Sequence, residues 1–528
     1  MAILTIGGRR TVDVPVGLLG VSMVVAGAML LPLAYLIVRV AGAGVLWDEI
    51  SATATREALV RTVVLAAGVT CAATAIAVPL AWLTVRTDLP VRGVWAVVFA
   101  LPLAVPSYVG AFAFVGALGP RGMLQGALEP LGVDRLPAIY GFWGAWATLT
   151  LFTFPYVLLP VRAALRNMDR SFEEAARGLG AGGLETFFRV TLPQLRPAVA
   201  AGALLVALYA LSDFGAVSIL RFDSLTRVIY VRYTSSFDRS SAAALALLLV
   251  ALSLVIVAIE GSTRGRGRYH AGTRHEAARV VALGWWRWPA LACCAAVAAA
   301  SLVLPLSVMG YWLARGIDAG QSMSFVRETA FNSVYASVLG AALTVAAALP
   351  VALLAVRHPG PVSSTIEKIT YSGFALPGIT IALALVFFAA RYATPVYQTL
   401  GLLVFAYAVR FLPEAVGACR SALLQVNPNG EQAARGLGRG RAYVFARVTL
   451  PQMLPGLSGG AMLVFLTAMK ELPATLILSP FGFDTLATQI WHSTTEARFG
   501  QAALPALILV AVSSVPMALT MLRDEKAR

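Results

Sequence analysis

The sequence predicts an all-α polytopic membrane protein, and composition, recurrent apolar runs and an internal duplication carry the prediction. Of its 528 residues, 59% are hydrophobic and only 13% charged. A soluble chain of that size would have to expose large apolar patches. Crossing a hydrocarbon core of ~30 Å takes roughly 20 apolar residues, and about twelve uncharged runs of that length are legible. In the first half they lie near 14–41, 59–85, 94–118, 138–165, 198–221 and 240–260. In the second half they lie near 287–314, 328–356, 366–391, 394–424, 456–479 and 500–522.

The formal net charge of +15 raises the possibility of nucleic acid as a partner, but the arginines cluster in short connections between runs, as the positive-inside bias requires. Arg86 and Arg92 flank one connection, and Arg162, Arg166, Arg170 and Arg177 follow the fourth run. Arg264, Arg266, Arg268, Arg274 and Arg279 follow the sixth. The intervening connections, Trp47-Asp48-Glu49 and Glu129 to Asp134, carry acids. The amino terminus is therefore expected in the cytoplasm. The first run, flanked by Arg9 and Arg10, exceeds a signal-peptide core and reads as an anchor. Cys71, Cys293, Cys294 and Cys419 have no metal-site spacing and read as small packing residues.

The chain is a tandem repeat. Residues 173–193 read EEAARGLGAGGLETFFRVTLP and residues 431–451 read EQAARGLGRGRAYVFARVTLP, an ungapped offset of 258 (431 − 173). The same register places Asp169 on Asn427, Pro155 on Pro413, Arg162 on Arg420, Asp213 on Glu471 and Gly215 on Pro473. Nearer the start of each half, Pro79 to Arg86 matches Pro350 to Arg357 at a slightly different offset, which implies short insertions. Two parallel six-span repeats follow, 1–260 and 287–528, related by a pseudo-two-fold axis along the membrane normal and joined by a Gly- and Arg-rich cytoplasmic linker, 261–286.

Between the fourth and fifth runs of each half the chain becomes a short polar helix (169–193 and 427–451). Asp169 and Asn427 suit the N-cap, Pro428 suits the first helical position, and Glu173, Glu174 and Glu431 suit the positive end of the dipole. Ala175, Ala176, Ala433 and Ala434 make a smooth face that another protein can approach, and Gly180 and Gly438 can take the left-handed conformation that ends a helix. A second short helix follows, carrying Phe187 and Val190 or Phe445 and Val448, and is expected to close at Pro193 or Pro451.

These segments resemble the coupling motif of binding-protein-dependent ABC importer permeases, which runs Glu-Ala-Ala, three residues, Gly, nine residues, Ile, one residue, Leu-Pro. Glu174-Ala175-Ala176, Gly180, Val190 and Leu192-Pro193 fill those places in the first copy. Gln432-Ala433-Ala434, Gly438, Val448 and Leu450-Pro451 fill them in the second. Val replaces Ile twice. Gln432 replaces the acid, which puts any salt bridge of the second copy in doubt, although Glu431 stands beside it. The resemblance implies that each motif docks into a groove on one cytoplasmic ATPase subunit, and that a periplasmic or lipid-anchored binding protein delivers substrate from the other side. Alone, a short charged helix between spans would read as an amphipathic connector on the membrane surface; the doubled seven-position match favours docking. No Gly-Lys dipeptide occurs, so the phosphate-cradling loop of a nucleotidase is missing. ATP and Mg²⁺ are expected on the partner ATPase, with no cofactor on this chain and no catalysis by it. The run Gly436-Leu437-Gly438-Arg439-Gly440 follows no predicted strand and reads as hinge and cap.

Ionisable groups inside spans are costly and face a cavity or a partner. Asp213 and Glu471 are repeat-equivalent and stand as candidates for a translocation pathway that favours cations. The alternative is that they tie down broken helix ends, at Gly215 and Pro473, or pair with Lys470. Arg410 and Glu414, one turn apart around Pro413, are expected to neutralise each other, while Phe152 and Tyr156 occupy those places in the first half. His270 and His275 lie beside arginines in the linker and read as solvated loop. The fused two-times-six layout, Ser212-Asp213-Phe214-Gly215-Ala216 and Lys470-Glu471-Leu472-Pro473-Ala474-Thr475 resemble the iron(III) import permeases. Permeases for thiamine, phosphonates and polyamines look similar, so the resemblance leaves those substrates open. A secondary transporter, the rival from another class, explains the spans but not the doubled motif. A membrane enzyme would need a nucleophile, a ligand set or an acid pair that the sequence does not offer.

Overall fold

The computed structural model describes residues 14–120, 122–132, 137–169, 171–235, 239–263 and 281–526. Arg9, Arg10, Asp134, Arg170, His270, His275 and the arginines from 264 to 279 lie outside the described residues.

Ten helices among the described residues are long and apolar enough to cross a membrane, and two further bent helix pairs bring the number to twelve. The runs near 94–118 and 366–391, expected as continuous spans, are those bent pairs. Arg92–Ala104 meets the helix that starts at Ser107 at 95°, and Pro361–Ala375 meets Gly378–Tyr392 at 104°. Proline causes both breaks. It disfavours helical geometry in the residue before it, and Val105 (ψ 115°) and Leu376 (ψ 109°) are accordingly extended ahead of Pro106 and Pro377. A hydropathy profile registers only apolar length, so it cannot see this change of direction. A second pair of breaks falls where Gly215 and Pro473 suggested. The span Leu192–Ser212 stops at Asp213 and a short helix Gly215–Ile219 follows; Leu450–Met469 is followed by Pro473–Leu478.

Pro193 and Pro451 do not close the second short helix, contrary to expectation. Gly183–Thr186 and Arg441–Val444 run through π turns, Phe187–Thr191 and Phe445–Thr449, directly into the spans that begin at Leu192 and Leu450. The widened turn admits the ring and absorbs the helical hydrogen bond that a proline without an N–H cannot make.

The described residues fall into two compact units, each assembled from segments of both sequence halves. One comprises those within Ile50–Thr234, Ala251–Met323 and Ile490–Arg528. Its centre is Thr53–Arg86 packed on Pro155–Asn167 and Leu192–Ser212, with Leu304–Asp318 lying against Ser107–Leu118 and Phe499–Lys526. Val69, Ala73, Ala77 and Leu80 recur at helical spacing along the first of these helices and are buried. Gly202 lets two spans touch: a Cβ there would lie 2.6 Å from Val157 Cα. The other unit comprises the described residues within Met1–Glu49, Ser235–Val250 and Ser324–Gln489. Phe325–Arg357 packs on Leu400–Gln425 and Leu450–Met469, and Val16–Ala43 lies against Phe325–Arg357, Pro361–Tyr371 and Gly378–Tyr392. The same three-helix centre therefore occurs once in each unit, and each unit takes in at least one span from the other sequence half.

A duplicated candidate docking site

Each unit carries a short polar helix, Ser171–Gly178 in one and Pro428–Gly436 in the other. The Asp169 carboxylate accepts from Ser171 N at 2.9 Å, and Asn427 Oδ1 accepts from Asn429 N at 2.9 Å. These bonds satisfy amides that have no partner inside a first turn. The Ser171 backbone and side chain hold the Asp169 carboxyl below its ordinary value. At the other end Gly180 (φ 91°) and Gly438 (φ 78°) take the left-handed conformation. Ala181 N donates to Ala176 O at 3.0 Å and Arg439 N to Ala434 O at 3.2 Å, closing the same terminal motif twice.

The anchor is a repeated triad. Glu173 Oε1 lies 3.4 Å from Arg86 Nη2 and accepts from Thr191 Oγ1 at 3.0 Å. Glu431 Oε1 lies 2.8 Å from Arg357 Nη2 and accepts from Thr449 Oγ1 at 2.9 Å. The arginine ends a long span, the acid sits on the short polar helix, and the threonine lies in the π turn, so one carboxylate locks three segments together. The acid at the family motif's own position is not the anchor: Glu174 and Gln432 are both exposed. Gln432 therefore leaves the second ion pair intact. The copies differ in burial, since the Arg86 side chain is 3% exposed and that of Arg357 24%. They also differ beside the arginine, where Thr87 follows Arg86 in the first copy and His358 follows Arg357 in the second. Burial, then Arg441 and Arg435, push the His358 imidazole below its ordinary value.

With the anchor turned inward, the outward surface is small and apolar. Ala175 and Ala433 are exposed. Leu179 and Leu437, one residue before each left-handed glycine, are 90% and 82% exposed. Sequence reasoning missed these leucines because it read the glycine-rich turn only as hinge and cap. The signal was a Gly-Leu-Gly in both copies, since an exposed leucine kept twice in a polar turn suits a partner surface.

The two intramembrane acids sit where broken spans meet. Asp213 is buried and accepts from Ser107 Oγ, from Ala216 N at 3.0 Å and from Val217 N at 3.2 Å, so it caps Gly215–Ile219 and meets the first residue of Ser107–Leu118. Glu471 Oε1 accepts from Ala474 N at 3.4 Å and lies against Gly378, the first residue of Gly378–Tyr392. A Cβ at Gly378 would stand 2.3 Å from that oxygen. Serine with the short acid and glycine with the long acid are thus two fillings of one joint. Arg410 and Glu414 form no direct ion pair among the described contacts, contrary to expectation. Arg410 Nη1 donates to Leu376 O, a carbonyl freed by the break before Pro377, and Glu414 Oε2 accepts from Thr467 Oγ1 at 3.3 Å. A buried carbonyl without a helical partner outcompetes the neighbour one turn away. No group of three or more His, Cys, Asp or Glu among the described residues is arranged to hold a metal.

Fold and site together define a multi-pass helical membrane protein, internally duplicated, with one capped and anchored short polar helix per copy. The chain belongs to the binding-protein-dependent transport system inner membrane component family, whose model matches residues 73–261 and again 333–526. It is 35% identical over 468 residues, 87% of this chain and 88% of the relative, to the Fe(3+)-transport system permease protein FbpB 2 of Haemophilus influenzae. It is 30% identical to the molybdenum transport system permease protein ModB of Escherichia coli K12, over 36% of this chain and 86% of that one. It is 28% identical to the sulfate transport system permease protein CysT of Salmonella typhimurium, over 34% of this chain and 65% of that one. The chain is accordingly a permease subunit of an ABC importer in the inner membrane, and not itself an enzyme.

Proposed function

We propose that this permease carries ferric iron, received from a periplasmic or lipid-anchored binding protein, and that two ATPase subunits drive it from the cytoplasm through the helices Ser171–Gly178 and Pro428–Gly436. The observation that carries the coupling half of this reading is the doubled Arg–Glu–Thr anchor. A partner pushing on Leu179 or Leu437 moves a helix pinned by Glu173 to Arg86 and Thr191, or by Glu431 to Arg357 and Thr449, and so moves the ends of two spans at once. Likeness to a ferric permease along 87% of the chain favours iron over molybdate or sulfate, whose permeases match about a third of it. ATP and Mg²⁺ bind the ATPase partners, and both docking faces lie in the cytoplasm with the amino terminus. Asp213 and Glu471 hold the broken spans beside the path in each unit and favour a cation there.

The test is uptake by proteoliposomes holding the chain with its ATPase and binding protein. ATP-dependent accumulation of radiolabelled ferric iron, with no accumulation of molybdate or sulfate, supports the proposal. Uptake of an oxyanion instead removes iron as the substrate. Uptake on an ion gradient without ATPase makes the chain a secondary transporter.

A further inference from the structure

We infer a binding site for a carboxylate or other small oxyanion in a cavity of about 150 Å³ that lies beyond the break at Asp213, after the end of the span Leu192–Ser212 remote from its docking helix. Tyr140, Ser218, Arg221, Thr494, Thr495 and Phe499 are among its lining residues.

The repeat shows what is unusual there. Arg221-Phe222-Asp223-Ser224-Leu225 matches Gly482-Phe483-Asp484-Thr485-Leu486. The leading residue of each is left-handed, Gly482 at φ 75° and Arg221 at φ 53°. Glycine takes that conformation without strain and an arginine does not. The first copy nevertheless places a guanidinium on the turn, with Phe222 N donating to Val217 O at 2.8 Å to close it. Strained backbone of this kind concentrates at binding sites. A second left-handed residue that is not glycine, Ala497 at φ 58°, lines the same cavity.

The side chains supply donors in need of an acceptor. Thr494 Oγ1 and Ser218 Oγ are buried without a hydrogen-bond partner among the described residues, and Thr494 as a whole is 7% exposed. A buried hydroxyl without a partner is costly. Arg221 is exposed, its guanidinium lies 5.1 Å from the centre of the Tyr140 ring, and no described carboxylate lies within ion-pair distance of it. The nearby acids are engaged elsewhere, Asp223 with Arg227 and Arg61, and Glu496 with Arg498. The frame is tied as well: Gly141 N donates to Leu220 O at 2.7 Å, joining the Tyr140 segment to the turn that holds Arg221. One cation, two hydroxyl donors and an aromatic wall in a space for one small polyoxyanion match a carboxylate, free in solution or on an acidic side chain of a docking protein.

The test follows the melting temperature of the full-length chain in nanodiscs during titration with citrate and with inorganic phosphate, for wild type, Arg221→Gly and Thr494→Val. Arg221→Gly adopts the conformation that Gly482 already uses, so it keeps the turn. A saturable upward shift in wild type, with its midpoint weakened by about tenfold or more in Arg221→Gly and also weakened in Thr494→Val, establishes a free oxyanion. If neither anion shifts wild type, the second arm is capture of the binding protein by the same variants; this arm rests on the importer reading. Loss of capture in Arg221→Gly, its retention in Arg221→Lys, and its loss again when one acidic residue of the binding protein is changed to its amide assign the carboxylate to the partner. No anion-dependent shift and unchanged capture overturn the site, and because the first arm involves no transport, they do so without bearing on the permease assignment.

Discussion

Removing the anchoring carboxylates should detach the two docking helices unequally. In Glu173→Ala, Arg86 keeps its positive charge at 3% exposure and loses the Glu173 carboxylate from its surroundings, and Thr191 Oγ1 loses the Glu173 acceptor. Removing one carboxylate from a buried ion pair costs about 3 kcal/mol, the low end of the range, which raises the local opening equilibrium by about two orders of magnitude. In Glu431→Ala, Arg357 is 24% exposed and water replaces much of the lost interaction. The cost there falls to about 1.5 kcal/mol, roughly tenfold in opening. Glu174→Gln and Gln432→Glu touch exposed side chains and should stay within about 0.5 kcal/mol. Amide hydrogen exchange across 171–181 and 428–439 in the purified chain reads each helix separately. Equal loss of protection in the two anchor variants, or a loss in Glu174→Gln as large as in Glu173→Ala, would refute the assignment of the anchor.

The joint between broken spans predicts an exchange. Gly378→Ser alone overpacks the Glu471 carboxylate and should cost about 1–3 kcal/mol, while Gly378→Ser with Glu471→Asp reproduces the Ser107–Asp213 pair and should recover most of it, as thermal unfolding would show. His358 predicts a pH asymmetry. Its folded-state value lies below the ordinary 6.5, so the stability it contributes is complete above pH 6.5 and is lost as pH falls from there through the folded value. Exchange protection of 428–439 should therefore drop on acidification across that window while 171–181, beside Thr87, holds; His358→Thr should abolish the difference. Asp169, also held below its usual value, should keep its cap above pH 3.8 and release it only as pH falls through the lower folded value. Asp169→Ala should fray the first docking helix at neutral pH, visible as faster exchange at Ser171.

Much of this architecture was legible in the residues, because a 20-residue apolar run and a repeated motif are one-dimensional signals. The spans, the caps at Asp169 and Asn427 and the left-handed Gly180 and Gly438 all fall where local chemistry puts them. The bends at Pro106 and Pro377 escaped because hydropathy ignores direction, and a proline inside an apolar run usually kinks a helix without turning it through a right angle. Arg86 and Arg357 were visible as basic flanks, yet their partners lie far along the sequence. The register also hides the equivalence, shifting from 271 (357 − 86) at the arginines to 258 at the acids. The neighbouring acid in the motif was the natural choice for a salt bridge, and only the packed helix shows that Glu173 and Glu431 face inward. Arg410 illustrates the opposite failure: a partner one turn away is easily read, but a carbonyl freed by a distant proline is not.

The claim that these helices couple the permease to ATP hydrolysis is tested most directly by co-isolating the ATPase with the wild-type chain, Leu179→Asp, Leu437→Asp and the double variant. Both leucines are largely exposed, so the substitutions leave the fold intact. Near-normal recovery of ATPase with wild type, partial loss in each single variant and complete loss in the double variant, with unchanged thermal unfolding of the permease, is the predicted result. Full recovery of the ATPase with the double variant would contradict the account.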